Sequence, residues 1–592
     1  MSTVLAAPAA SPTTDVASRA VAAPGRRARA AVAVLLPLCL YIVVAAALFP
    51  SVTTHLTGAL PAALTDPPSQ VWVLAWDVHA LTTNPTHLYD GNIFYPLHQT
   101  LAFQDTALSV MPIVAPIILL TGDAVLAYNV LFVLSFALCA WSAFLLARLL
   151  SGSTAGAYVA GAIYGFSAYR MAHLIHLNLL CAFFIPLVLL FWERARRGDA
   201  RGWIGVGAFF ILQALAALYY AAFLAVALVL LFVLEALHAR RLRRIDPTAL
   251  PRLRRFALGG AVAALATSLI IAPLLLPYLR TGGSLDGLAQ AQLFSADIRD
   301  FVHAIHFNVL YGWTGAALGI SPLTLQEQYL WPGLITLGLI VYGLRGPRAS
   351  GDEAFVKRSY LVLCLATALL CLGPSLKVFG DRTGIPLPYI FLYNVPGFAG
   401  WRDPTRFGAI YTLALAVLAA YGVARLQARP LLSATRRRLV VALVAGVLAE
   451  SWIAPIPTPA IATGAAVPPV YRWLAARPDG AAILEFPVNW DNWTTWSYQT
   501  ASMYFSTYHW HPILSGIGRF DPPEITTRAA TFNSFPSAAA LALLRARRVR
   551  YVVVHQAWVG AGARARIAAS ARHERTLRLA KSWPDADVYI VF

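Results

Sequence analysis

Charge is scarce in this chain. Only 12% of its 592 residues are charged and 58% are hydrophobic, where an ordinary soluble domain is about 25% charged. That deficit, with a mean hydropathy of +0.63, excludes a soluble globular enzyme and a disordered chain and leaves a polytopic membrane protein. Cysteine is scarce too. The five, Cys39, Cys139, Cys181, Cys364 and Cys371, all fall inside apolar runs, where a thiol behaves as a small hydrophobe. Neither a disulfide framework nor a cysteine zinc site is expected. Ionisable residues are nearly missing from the apolar runs. A proton- or ion-coupled carrier places several near mid-membrane, so their scarcity counts against such a carrier. No internal or inverted repeat is visible. The basic excess, 46 Lys and Arg against 27 Asp and Glu, lies in short runs between apolar stretches. That is an orientation signal, and no nucleic-acid partner is expected.

The apolar runs define the topology. Residues 1–25, rich in Ala, Pro, Ser and Thr, read as a disordered cytoplasmic N-terminus. Arg26, Arg27 and Arg29 then precede the uncharged run 30–50, too long for a usual signal peptide and read as a signal anchor. Further runs lie near 124–147, 153–169, 174–192, 203–234, 256–279, 329–344, 359–376, 407–424 and 439–456. As one helix, 203–234 would be about 48 Å long, beyond a core of about 30 Å. Arg194, Arg196, Arg197 and Arg201 precede it and Arg240, Arg241, Arg243 and Arg244 follow it. Both ends are therefore cytoplasmic, and the run is a hairpin turning near Tyr219 and Tyr220. Arg252, Arg254, Arg255, Arg345, Arg348, Lys357, Arg358, Arg425, Arg429, Arg436, Arg437 and Arg438 mark the other inner loops. The basic-poor segments 51–123 and 280–328 face out. Residues 106–121 read as a helix lying in the outer interface.

The expected fold is an α-helical polytopic membrane domain over 26–456, with about eleven spans and a first outer loop at 51–123. Its last span carries Glu450 near the outer end. A small α/β extracytoplasmic domain follows over 457–592. In that tail AAILEFPV (481–488), YVVVH (551–555) and DVYIVF (587–592) read as strands, and SAAALALLRAR (537–547) reads as a helix. A sequon-like Asn492-Trp493-Thr494 lies in the same tail.

Polar chemistry gathers in the outer loops. In the first, Asp66 precedes Pro67 and Pro68. Residues 69–81 read as an amphipathic helix with Val71, Leu74 and Val78 on one face and Trp72 and Trp76 at the membrane interface. Asp77 and His79 ride on it. An acid held at an apolar interface can act as a base. The plainer readings are a helix N-cap for Asp66 and a solvated face for Asp77. The loop at 167–178 offers Tyr169, Arg170, His173, His176 and Asn178. His173 and His176 share a helical spacing, which permits a divalent metal; contacts to sugar hydroxyls or a phosphate are favoured over it, and plain interfacial capping is the simpler alternative. Asp297, Asp300, His303, His306 and Tyr311 follow in a later loop, then Glu327. Arg402 and Arg406, spaced i and i+4, suit a phosphate, with a salt bridge to Asp403 or lipid headgroup contact as the alternative.

Several short motifs carry a resemblance. They are VWVLAWDVHAL (71–81), NIFYP (92–96), GDAVLAYNVLFVLSF (122–136), FSAYRMAHLIHLNLL (166–180), EQYLWPGL (327–334) and VPGFAGWRDPTRF (395–407). Over about residues 60–430 the chain resembles the GT-C superfamily of polytopic glycosyltransferases, and within it a bacterial group. The resemblance implies a multi-pass protein of the bacterial inner membrane that uses a polyprenyl-phosphate-linked sugar at the outer face. The acceptor would be an extracytoplasmic glycan, lipid or protein. It implies a carboxylate base in the first outer loop, by position Asp66. Many relatives pair two acids there, whereas Asp66 is followed by Pro67, which leaves Asp77 as the second candidate or no second acid at all. The expected activity is inverting glycosyl transfer, with Asp66 and Asp77 as catalytic acids and Tyr169, Arg170, His173, His176, Glu327, Arg402 and Arg406 binding substrate. No cofactor is required by the reading, and a divalent metal is allowed. The alternatives are a flippase of lipid-linked intermediates and a non-catalytic scaffold for envelope glycan assembly.

Overall fold

The computed structural model describes residues 26–592 except 245, 282–286, 321–325, 346–350, 396–397, 399, 431, 489–492 and 520–521. The segment 1–25 and Asn492 of the sequon lie outside the described residues. Each apolar run meets a helix. Among the described residues seven helices are long and apolar enough to cross a bilayer, from Ala31–Leu48 to Pro404–Gln427, and Gly202–Ala214 and Leu334–Leu344 are shorter apolar helices. The long run at 203–234 does break. Gly202–Ala214 ends just before 215–217, and Leu218–Leu242 begins one residue ahead of Tyr219. The helix Met111–Thr121 has only 11 residues, about 16 Å, too short to cross. Its Leu119 and Leu120 are exposed.

The core sits where Ala124–Ser151 and Gly408–Gln427 pass side by side, both buried along most of their length. Small residues allow the close approach. A Cβ on Gly156 would fall 2.5 Å from the Ala420 carbonyl, and one on Gly422 2.1 Å from that of Leu339. At the arginine-rich end of the bundle, charge also builds structure. Arg196 pairs with Glu193 at 2.7 Å and Asp352 at 2.6 Å, and Arg197 pairs with Glu193 at 2.6 Å. With Glu235 3.9 Å from Arg196, these arginines join three helices.

Glu450 has a specific task at the opposite end. The backbone N–H groups of Leu334 and Ile335 donate to its carboxylate at 2.9 and 3.0 Å, and Tyr311 Oη donates at 3.1 Å. A helix start leaves N–H groups unpaired and carries partial positive charge, so a buried carboxylate from a neighbouring helix caps it. Glu450→Ala is expected to cost about 1.5–3 kcal/mol, the scale of hydrogen bonds to a charged group. The loss reads out as a lower melting temperature of the detergent-purified protein, with a smaller drop for Glu450→Gln.

The helix Pro67–Thr83 corrects one expectation. Trp72 and Trp76 are not interface anchors. They are buried, stacked on each other at 5.9 Å, and donate to Asn92 Oδ1 at 2.9 Å and the Leu88 carbonyl at 2.8 Å. The cause is the tail, which covers this helix with Trp510 and Trp496. NIFYP (92–96) is the seam: Phe94 and Tyr95 N–H donate to the Ser515 and Ile513 carbonyls at 3.2 and 3.0 Å, and Ile513 N–H returns to Asn92 at 2.7 Å.

The described strands form two sheets. β1 (Ser375–Val378) and β2 (Asp381–Pro386) make a hairpin at the end of Gly351–Cys371. In the tail, β3 (Ala482–Phe486), β4 (Val549–His555), β5 (Leu577–Ser582) and β6 (Ala586–Val591) form a sheet of order β3-β4-β6-β5, with β3 and β4 parallel and the other pairs antiparallel. The helix Ala538–Ala546 packs on it as expected from 537–547.

Candidate active site

Asp66 stands at the start of Pro67–Thr83, where proline at the first turn favours helix initiation. Its side chain does not cap that helix. Instead Oδ1 accepts from Trp496 Nε1 at 3.1 Å, and Oδ2 lies 3.1 Å from His176 Nε2. The carboxylate is aimed by two ring N–H groups, one from a loop 110 positions away and one from the tail. It keeps 21% of its side chain exposed, so a substrate hydroxyl can reach it.

From His176 the contacts continue. Its Nε2 lies 4.0 Å from Glu327 Oε1, which lies 3.9 Å from Arg406 Nη2, and Arg406 Nε pairs with Asp403 at 2.8 Å. The Arg406 guanidinium also covers the Tyr219 ring at 4.2 Å. Thr405 Oγ1 donates to Asp403 at 2.6 Å. One row of alternating charge thus runs across the ends of several helices. Burial alone would lower the His176 imidazole, but the hydrogen bond and charge of Asp66, with Glu327, outweigh it and raise it. Burial would raise Glu327, yet the two histidines and Arg406 hold it low. Asp403 is pushed up to about 6 by burial, against the pull of Arg406.

The histidines are set by their own short helix. Ser167 Oγ accepts from Arg170 N–H at 3.3 Å to start Ala168–Ala172. His173 follows, with Nδ1 2.7 Å from the Tyr169 carbonyl. That acceptor fixes the proton on Nδ1 and leaves Nε2 a free lone pair. Burial drives His173 down to about 3, so it is neutral. A nitrogen or carboxylate oxygen from each of His173, His176 and Glu327 lies within 4.8 Å of the others. His173 Nε2 and His176 Nδ1 are buried without a hydrogen-bond partner. His173 Nε2 and Glu327 offer lone pairs, and His176 Nδ1 offers one when that ring is neutral with its Nε2–H on Asp66, so the three fit a divalent cation of the zinc or manganese kind in that state.

Three predicted residues stand elsewhere. Asp77 is eleven residues beyond Asp66 on one helix, about 16 Å at the helical rise. It is fully buried, accepts from the Ala107 N–H at 2.7 Å and is pushed up to about 7 by burial. It is neither a solvated acid nor a partner of Asp66. Arg170 points inward: Nε donates to the Gly165 carbonyl at 3.0 Å and the guanidinium lies 4.7 Å over Phe136. One residue of helix turns the side chain by about 100°, so Tyr169 and Arg170 cannot share a wall. Arg402 departs from Arg406 because 402–403 is not helical and Pro404 opens a 3-10 turn. Arg402 donates to Gln290 Oε1 at 3.0 Å and lies over Phe294. Tyr169 does stay beside the row, with its ring 4.3 Å from His173 and its hydroxyl 3.2 Å from that of Tyr220. Gly408 makes this possible, since a Cβ there would fall 2.7 Å from the Tyr169 ring.

Two neighbours were not foreseen. Trp496 lies 430 positions from the carboxylate it contacts, and no local pattern could pair them. Asp105 accepts from Asn178 Nδ2 at 2.8 Å; being an acid of the first loop was its only signal. Beside the row, Met171, Leu174, Ile175, Ile305, Phe307 and Tyr329 line an apolar cavity of about 300 Å³.

No protein-family model matches the chain, and no curated protein matches it in sequence. Solved structures do. The arabinofuranosyltransferase AftD from Mycobacteria is 14% identical with a TM-score of 0.59, over 96% of this chain and 40% of that one. A mutant form of AftD gives 0.56 at 14% identity, over 94% and 41%. The archaeal oligosaccharyltransferase AglB from Archaeoglobus fulgidus gives 0.48 at 13% identity, over 88% and 69%. The chain spans about 40% of the length of AftD. The likeness to AftD is one of fold.

Proposed function

We propose, from its GT-C architecture, that this protein is an inverting membrane glycosyltransferase that moves a sugar from a polyprenyl-phosphate donor to an acceptor hydroxyl on an extracytoplasmic glycan, lipid or protein. The observation that carries the reading is the row from Asp66 through His176 and Glu327 to Arg406 at one end of the helices. It joins a partly exposed carboxylate to a cation within one continuous set of contacts. The arginine-rich runs mark the other end, so the row faces out by the charge rule.

Each residue then has a task. Asp66 takes the proton of the acceptor hydroxyl as its oxygen attacks the anomeric carbon. The bond from that carbon to the phosphate oxygen breaks, and the electron pair leaves with the phosphate. Arg406 meets the charge that grows there, where a fixed cation in a dry site is most effective. Trp496 and His176 hold the Asp66 carboxylate in place. The apolar cavity lined by Met171, Leu174 and Tyr329, sequence neighbours of His173 and Glu327, suits the first units of the prenyl chain. A divalent cation on His173, His176 and Glu327 would add positive charge beside the departing phosphate.

Membranes containing the protein are expected to lose label from a labelled lipid-linked sugar into a lipid-free or elongated product. Retention of all label on the donor, across glucosyl, mannosyl and arabinofuranosyl lipids, would contradict the reading. The cation is tested apart from activity. After dialysis against zinc or manganese, the purified protein is expected to retain about one ion per chain, and His173→Ala or Glu327→Gln to retain none. Metal content unchanged by either substitution would remove the cation from the account.

A further inference from the structure

Beyond the row, a second pocket opens one helical turn along from Asp66. Gln70, Val73 and Leu74 line it from Pro67–Thr83, Gln104, Asp105 and Thr106 from the first loop, and Asn178 from the loop that carries His176. We propose that this pocket binds the edge of a sugar ring through two adjacent hydroxyl groups, with Asp105 and Asn178 as their acceptors. The inference rests on the transferase reading and names the chemistry of its substrate.

The hydrogen bonds determine what the pocket offers. Asp105 Oδ2 accepts from Asn178 Nδ2 at 2.8 Å. The amide thus presents nitrogen to Asp105 and oxygen elsewhere; burial raises the Asp105 carboxyl, while Asn178, the Leu218 N–H, Arg406 and Arg519 favour its charged form. That oxygen, Asn178 Oδ1, is buried and has no partner. A buried acceptor without a donor costs free energy unless something supplies one. Gln70 holds the arrangement: its Nε2 donates to the Ile175 carbonyl at 3.0 Å, and its Oε1 accepts from Asn178 N–H at 3.3 Å. Gln104 Nε2 is committed to the Ile517 carbonyl at 2.6 Å. The head of the pocket therefore presents acceptors side by side and lacks free donors among these groups. The ligand must bring the protons, and vicinal hydroxyls carry two on neighbouring carbons. Val73, Leu74, Val110 and Leu131 supply an apolar wall for the C–H face of a ring.

Size narrows the class. The cavity is about 50 Å³, and one water-sized group needs about 10–15 Å³. It admits a few heavy atoms, enough for a diol edge and far too little for a prenyl chain. Because Asn178 lies in the short helix Leu177–Leu180 that His176 precedes, and Gln70 and Asp66 share one helix end, a ring held here lies next to the carboxylate. The same diol chemistry belongs to a donor sugar and to an acceptor sugar.

The test uses the full chain in detergent and reads the ligand-dependent shift in melting temperature, since binding to the folded state raises apparent stability. One arm titrates undecaprenyl phosphate and its glucosyl, mannosyl and arabinofuranosyl esters. The other titrates free glucan, mannan and arabinan oligosaccharides. Wild type is expected to bind one sugar-bearing ligand at least 10-fold more tightly than its sugar-free counterpart. Asp105→Asn and Asn178→Ala are expected to erase that preference and leave bare undecaprenyl phosphate binding unchanged. The preference appearing in the lipid arm assigns the pocket to the donor, and in the free arm to the acceptor. Full preference retained in both variants overturns the proposal, as does a wild type with no preference in either arm. The transferase reading is judged separately by label transfer.

Discussion

An Asp66→Asn protein is expected to reach the membrane in normal amount and to transfer sugar about 10²–10⁴-fold more slowly, the range of a lost general base. The substitution keeps the shape of the side chain. Its remaining oxygen can still accept from Trp496, so the seam between the tail and the first loop persists. The group facing His176 becomes an amide, which cannot take a proton at neutral pH. The structure also separates this role from the plainer one. If Asp66 served only to start its helix, Asn would replace it at little cost, since Asn and Asp rank together as caps. Here the carboxylate makes no cap hydrogen bond. A substituted protein with unchanged melting temperature and wild-type transfer would return Asp66 to structure. Loss of transfer with unchanged melting temperature identifies the base.

Arg406 gives the second large effect. Arg406→Gln is expected to lower the rate about 10²–10³-fold, as removal of a fixed transition-state donor does. Stability falls as well, because Asp403 is 1% exposed and loses its cation, and an unpaired buried charge is costly. Two further variants separate these effects. Asp403→Asn with Arg406→Gln removes both charges, and is expected to restore melting temperature without restoring rate. Arg406→Lys keeps the charge but gives up the planar fork that matches a phosphate. It is expected to recover stability more than turnover. Recovery of rate in the double variant would mean that Arg406 acts only through the fold.

The bundle was legible in the sequence because the bilayer demands long uncharged runs. The hairpin at 203–234 followed from arginines at both of its ends, and the chain does break at 215–217. Short polar segments were harder. Arg170 looked like a pocket residue because it lies among polar neighbours, but the turn of a five-residue helix sends it over Phe136. Trp72 and Trp76 looked like membrane anchors because aromatic residues favour interfaces; only the tail packing, remote in sequence, buries them. β5 went unread because LRLAKS alternates with charge, and it forms the exposed edge of its sheet. Asp66, His173, His176, Glu327 and Arg406 were all nameable in advance, whereas their mutual contacts were not.

A scaffold needs no gathering of these groups, and a flippase needs polar groups along the spans. The row at one end of the bundle favours chemistry over both. The most direct measurement reconstitutes the purified protein in liposomes with an anomerically defined, isotopically labelled polyprenyl-phosphate sugar and its acceptor, and follows the anomeric carbon by NMR. The account predicts a new glycosidic bond of inverted configuration and one polyprenyl phosphate released per bond. Intact donor delivered to the opposite leaflet, or a product of retained configuration, would contradict it.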